Sequence, residues 1–225
     1  MSRGDVQQPH QPAASPLTFS GREIRDFLLA WVALSVAFGV FFFGGGPFVA
    51  NALRAGTFGP LLLIFGISAV TAGVGFLLHE LGHKVAAVRF GQRAAFRADY
   101  GMLFLAVVSA LAGFLFAAPG AVHHTGRITK RQHGLIALAG PAVNLGLAVV
   151  FTPLWLGGDV VGLPLVAQIG QWGLAVNLLL AAFNMLPFGP LDGNTIREWS
   201  TVVWAVVTVP AVGLAVWTLF VLNLL

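Results

Sequence analysis

The 225-residue chain contains no cysteine and one tyrosine, and Asp, Glu, Lys and Arg together make up only 9% of it. The lack of cysteine excludes disulfides, thiolate metal sites and cysteine nucleophiles, which leaves His, Asp and Glu as the strong metal ligands available. The shortage of charge excludes a soluble globular protein. With 57% hydrophobic residues and a mean hydropathy of +0.87, the composition is that of an integral membrane protein, and its length suits one helical bundle. A net charge of +4 invites a nucleic-acid reading. The basic residues, however, lie in short segments between apolar runs and not in one stripe, so they read as topological anchors in a lipid bilayer, with no nucleic-acid partner.

A helix that crosses the hydrocarbon core needs roughly 20 apolar residues. Charge-free runs of that kind occur at 27–53, 55–78 (continuing toward residue 88), 101–122, 134–158, 160–191 and 199–225. Several exceed one span, so Gly44-Gly45-Gly46-Pro47 is expected to end the first helix and Pro164 to delay the fifth. The fold class expected is an all-α polytopic membrane protein, a bundle of five or six transmembrane helices with a re-entrant or short β element near residues 101–133. Residues 1–22, with Pro9, Pro12 and Pro16 among polar residues, are expected to form a flexible tail and not a signal peptide. Residues 23–225 then form a single transmembrane domain with its core at about 60–195.

Topology follows from Lys and Arg. Arg3, Arg22 and Arg25 precede the first helix, and Lys84, Arg89, Arg93 and Arg97 follow the second, whereas the loop between carries only Arg54. The positive-inside rule therefore puts the N-terminus and the segment after the second helix in the cytoplasm. Arg127, Lys130 and Arg131 conflict with this if residues 101–122 cross the membrane once. They agree with it if that run enters and returns, which Gly113, Pro119 and Gly120 permit.

Chemistry concentrates at His79-Glu80-Leu81-Gly82-His83, on a segment where residues 55–78 carry no ionisable group. Two histidines four residues apart stack on one helix face, about 6 Å apart along the axis, and can reach one cation. Glu80 sits close to that face, as the general base does in the zincin pattern. A cation also offsets the cost of desolvating a carboxylate. The alternative is a pair of interhelical hydrogen-bonding histidines beside a protonated Glu80. A third ligand candidate, Asp192, closes Asn184-Met185-Leu186-Pro187-Phe188-Gly189-Pro190-Leu191-Asp192-Gly193. Prolines 187 and 190 break the helix there, and irregular backbone at membrane depth is tolerated only inside protein or along a wet cavity. Taken alone, the segment also reads as a surface loop with Asp192 solvated.

Together these motifs resemble those of the site-2 protease family of intramembrane zinc metalloproteases, in its compact prokaryotic form without a PDZ domain. That family carries HExxH on one core helix and NxxPxxxxDG on another. This chain reads HELGH at 79–83 and NMLPFGPLDG at 184–193, with a GPxxN-like element at Gly140-Pro141-Ala142-Val143-Asn144. The resemblance implies that His79, His83 and Asp192 bind one Zn2+ per chain, that Glu80 is general base and acid, and that Asn184 orients substrate or stabilises the oxyanion. It implies hydrolysis of peptide bonds in transmembrane substrate helices, in regulated intramembrane proteolysis, by a multi-pass protein of a prokaryotic cell membrane. The partner is then a membrane-protein substrate. No oligomeric state is implied.

In that family the two motif helices run in the same direction, which again favours a re-entrant 101–122. Gly120-Ala121-Val122 resembles the family's strand-loop beside substrate, near His123 and His124. Asn144 reads equally as a contact to a catalytic group or as a helix joiner, and His123, His124 and His133 read as loop residues. Asn177 reads as a bundle contact. Lys84 and Arg89 are expected to snorkel to the headgroups, and Trp199 and Trp204 to face the interface or lipid. Two other functions fit the same residues: a metal-binding or metal-transporting membrane protein without proteolysis, and an inactive membrane scaffold.

Overall fold

In the computed structural model, residues 17–116 and 119–222 are described. Of the expected tail, residues 1–16 lie outside the described residues, and α1 (Gly21–Phe42) begins before the tail's expected end, capped by the Ser20 hydroxyl, which accepts from the Glu23 N–H at 3.2 Å. The charge-free run 27–53 is two helices. Gly44 and Gly45 take φ of +110° and +65°, which only glycine adopts freely, and the chain turns there into α2 (Gly45–Ala55).

The next span is continuous over Gly59–Arg89, comprising α3 (Gly59–Ser68), one π-helical turn at Ala69–Gly73 and α4 (Val74–Arg89). A π turn leaves a backbone group open to an outside partner. Here the Trp31 indole of α1 donates to the Ala69 carbonyl at 3.0 Å, which fixes α1 against the helix that carries HELGH.

Residues 93–125 form the element that decides topology. Strand β1 (Arg93–Ala98) leads to α5 (Tyr100–Leu111), and the chain returns as β2 (Gly120–Thr125), antiparallel to β1 with Ala98 opposite Gly120 and Arg93 opposite Thr125. Twelve residues of helix extend about 18 Å, short of a ~30 Å hydrocarbon core. Gly113, at φ +89°, reverses the chain, and the Asp99 N–H bonds the Pro119 carbonyl at 3.1 Å, so the excursion closes where it began. The described parts of the apolar run 101–122 thus leave and return at the same end of the hairpin, and its helix is too short to cross.

The remaining helices are α6 (Lys130–Val160), α7 (Pro164–Asn184), α8 (Asp192–Trp199) and α9 (Thr201–Val221). Among the described residues five helices are long and apolar enough to cross a membrane: α1, the joined α3 and α4, α6, α7 and α9. Pro164 opens α7, and the Pro-rich segment after Asn184 ends it.

Side-chain contacts give the helix directions. Going down α4, Gly75 and His79 meet Asn144 while His83 meets Ile136, so α4 and α6 are antiparallel. Asn144 also meets Asn177, and Gly158 abuts Ala167, so α6 and α7 are antiparallel as well. The HELGH helix and α7 therefore point the same way. Glycines make these approaches close: a Cβ at Gly75 would meet the Asn177 amide oxygen at 2.7 Å, and one at Gly82 would meet Val143 at 3.0 Å.

The core beside the site packs Ala30, Leu34 and Phe38 of α1 against Phe76 of α4, Phe96 of β1 and Leu103 of α5. Phe96 is stacked on Phe27 at 4.5 Å and edge-on to Phe76 at 5.7 Å. Lys84 does not snorkel. It is fully buried, its ammonium donating to both Glu23 oxygens at 2.7 Å and to the Thr18 carbonyl at 2.6 Å, over the Phe19 ring. A lone charge would reach for water, but Glu23 supplies a partner on α1 that a charge-free-run search hides. Trp199 and Trp204 also turn inward: Trp199 covers Gly134, and the Trp204 indole donates to the Met185 carbonyl at 2.8 Å.

Candidate metal centre

Two elements bring the candidate ligands together. His79, Glu80 and His83 lie in the middle of α4, at 4%, 7% and 8% exposure. Asp192 opens α8 after the Pro-broken turn, and its Oδ2 lies 3.3 Å from the Nε2 atoms of both His79 and His83. Those two Nε2 atoms are 3.0 Å apart. Ligand atoms of His79, Glu80 and His83 all fall within 4.8 Å of one another.

The neighbours set the tautomers. Asn144 donates its amide to the Gly75 carbonyl and to Asn177 Oδ1, so its Oδ1 is an acceptor, and it lies 2.6 Å from His79 Nδ1. His83 Nδ1 faces the Ile136 carbonyl at 2.8 Å, which can only accept. Both rings therefore carry their proton on Nδ1 and present lone pairs from Nε2. Asp192 Oδ2, buried and without a hydrogen-bond partner among the described residues, faces the same point. Three acceptors converge with no donor among them, an arrangement that a cation relieves. On a tetrahedral zinc, ligand atoms sit about 3.3 Å apart, so the donor set fits that metal.

The surroundings keep the centre tight. A Cβ on Gly140 would overlap Nε2 of both histidines, so only glycine lets α6 pass this close. A Cβ on Gly193 would overlap the Met185 carbonyl, so glycine also lets α8 tuck under the end of α7 and aim Asp192 inward. Asn144 joins the helices and also holds His79.

Strand β2 borders Glu80. The Asp99 to Pro119 bond fixes the alternation of the ladder: residues 121, 123 and 125 point their backbone groups at β1, and residues 120, 122 and 124 point theirs away. The outward N–H of Val122 meets the Glu80 carboxylate. His124 is edge-on to His133 at 5.6 Å, and partial burial together with the His133, His83 and His123 rings lowers its pKa. His123 is exposed, and none of these three histidines bonds to the centre among the described residues.

Asn184 ends α7 and donates to its own Leu180 carbonyl at 2.9 Å, with no bond to the centre among the described residues. Sequence reasoning missed Glu23, whose carboxylate accepts from the Phe96 N–H at 2.9 Å and so holds the outer edge of β1. Its signal was an acid paired in spacing with no neighbour, legible only once Lys84 is seen to be buried.

Similarity to known proteins extends across the chain. MJ0611 of Methanocaldococcus jannaschii is 36% identical over 206 residues, which cover 90% of this chain and 97% of that protein. Protein sll0528 of Synechocystis sp. is 32% identical over 72% of this chain, which spans about a third (34%) of that protein. YwhC of Bacillus subtilis is 32% identical over 57% of this chain and 66% of its own length. Each bears the name of a zinc metalloprotease, assigned by inference. No family model matches the chain, and no solved structure matches it.

Proposed function

The chain belongs to the site-2 protease family of zinc metalloproteases, and we propose that it hydrolyses peptide bonds of membrane-spanning substrate helices with zinc held by His79, His83 and Asp192. The observation that carries this reading is the convergence of two Nε2 lone pairs and the otherwise unpartnered Asp192 Oδ2 on one point within the helix bundle. Zinc bound there would polarise the scissile carbonyl and lower the pKa of an attacking water toward ~7.

The chain's own groups supply the rest. Glu80 takes the proton of the attacking water and delivers it to the leaving amine nitrogen. Asn144 and the Ile136 carbonyl keep His79 and His83 in the tautomer that leaves Nε2 free. Asn184, the last residue of α7 and two residues beyond the buried Ala182, orients the substrate or steadies its carbonyl oxygen.

A substrate helix has its backbone bonded internally and must unwind before cleavage. The outward edge of β2, whose N–H and C=O groups at Gly120 and His124 have no partner among the described residues, can take an unwound segment as an added strand alongside Glu80. The positive-inside rule puts this end, with Arg89, Arg93 and Lys130, in the cytoplasm. Regulated cleavage of a membrane-anchored regulator is the role that fits this placement.

The test uses the protein and its Glu80→Gln variant in detergent, with zinc measured by elemental analysis and cleavage followed on a single-span membrane substrate. The expected result is about one zinc in each and cleavage by the unmodified protein alone. Equal cleavage by both would remove Glu80 as the base, and a metal-free protein would remove the site. Zinc without cleavage of any spanning substrate would favour transport or scaffolding.

A further inference from the structure

The edge strand ends in a cluster of cations. Arg93 stands opposite Thr125 at the end of the hairpin, Arg127 follows two residues later, and Lys130 and Arg131 open α6. All four side chains are exposed, and among the described residues none forms an ion pair. The Arg127 backbone is tied to the hairpin by Gln92, whose amide donates to its carbonyl at 3.3 Å. His123 and His124 lie immediately before this cluster on β2.

The other end of the hairpin is different. Beyond the Ala98 and Gly120 pair the chain enters the apolar α5 excursion. A segment laid along the free edge of β2 therefore has two unequal flanks. One runs toward the apolar α5, and the other leaves the bilayer across Arg93, Arg127, Lys130 and Arg131.

We propose that this surface selects substrates by the charge of their extramembrane flank, accepting Asp and Glu within a few residues of the cleaved segment and rejecting Lys and Arg. The inference rests on the protease reading and names its substrate class. Its physical basis is complementarity across a rim: unlike charges speed encounter and fix register, while like charges facing each other suppress the wrong partner. The rejection has a use. Cytoplasmic flanks of membrane helices are generally rich in Lys and Arg, so a cationic rim turns away most of the helices around it. These four residues also anchor the bundle at the headgroups, but anchoring does not require them to be gathered at the mouth of the strand edge that borders Glu80.

The test compares synthetic single-span peptides that differ only in four flanking residues, all Glu, all Gln or all Lys, in nanodiscs of neutral phosphatidylcholine. Cleavage is measured with the zinc-loaded protein, and binding with the Glu80→Gln variant by fluorescence anisotropy. The Glu flank is expected to bind and be cut on the order of tenfold better than the Lys flank, with Gln between. That ratio should shrink at high salt and collapse toward one in Arg127→Gln/Lys130→Gln/Arg131→Gln. Equal binding of all three flanks, or a ratio that survives the triple substitution, overturns the proposal. So does a triple variant whose binding changes only when anionic lipid is added, and by the same factor for every flank, because the rim then reads headgroups. If the flanks bind in the expected order and none is cut, the protease reading fails and the charge selection stands.

Discussion

Glu23 and Glu80 hold one cross-strand pair from opposite sides. Glu23 accepts from the outward N–H of Phe96, and Glu80 meets the outward N–H of Val122, the residue that faces Phe96 across the two-stranded sheet. One carboxylate comes from α1 and the other from the HELGH helix, and Lys84, four residues after Glu80, ties the two helices together through Glu23. The strand proposed to receive substrate is thereby set in position relative to the proposed base through Glu23 and Lys84, which take no part in the proposed chemistry.

Breaking that tie should cost stability in a way that its repair reveals. Lys84→Met leaves the Glu23 carboxylate buried without a counter-charge, and removing one partner of a buried pair destabilises by about 3 to 5 kcal/mol. Glu23→Gln combined with Lys84→Met removes both charges and keeps an acceptor for the Phe96 N–H. Unfolding in detergent should show the single variant strongly destabilised and the double variant close to the parent. A double variant as unstable as the single one would show that Glu23 and Lys84 do not act as a pair.

The metal centre makes a different prediction, because its tightness rests on an absent side chain. Gly140→Ala places a methyl group against Nε2 of both histidines. Zinc content after dialysis should fall well below that of the parent, while helix content by circular dichroism is unchanged. Asn144→Leu acts one step further out. It removes the acceptor from His79 Nδ1 and should weaken zinc affinity by roughly 10- to 100-fold. Unchanged zinc affinity in the Asn144 variant would mean that the ring of His79 is held by packing alone.

How much of this was legible in the sequence depended on whether the signal was local. HELGH on an apolar run and Asp192 after two helix-breaking prolines could be read directly, because spacing and backbone chemistry fix both. The re-entrant course of 101–122 could be argued from the cations on either side of it, but the closing contact between Asp99 and Pro119 depends on strand pairing that no single stretch encodes. Lys84 looks like a surface anchor in the sequence because its partner lies 61 positions away, on a helix whose charge-free run starts at Phe27, past Glu23. The role of Asn144 needed three dimensions: its amide chooses between joining helices and orienting His79, and it does both.

Backbone, not side chains, should govern docking at the strand edge, and two adjacent residues separate the cases. The N–H of His124 points away from β1 and the N–H of His123 points toward it, by the alternation fixed at Asp99 and Pro119. Proline is tolerated on an edge where its missing N–H faces outward, and disrupts the ladder where it faces inward. His124→Pro should therefore leave the hairpin and the zinc content intact but raise KM for a spanning substrate, with kcat little changed, since one of the donors offered to the incoming strand is gone. His123→Pro should loosen the hairpin itself, lowering stability and reducing kcat and kcat/KM together as β2 drifts from Glu80. To keep the imidazoles from confusing the comparison, His124→Ala and His123→Ala serve as the references for each. If His124→Pro matches His124→Ala in KM, the free edge of β2 does not receive the substrate.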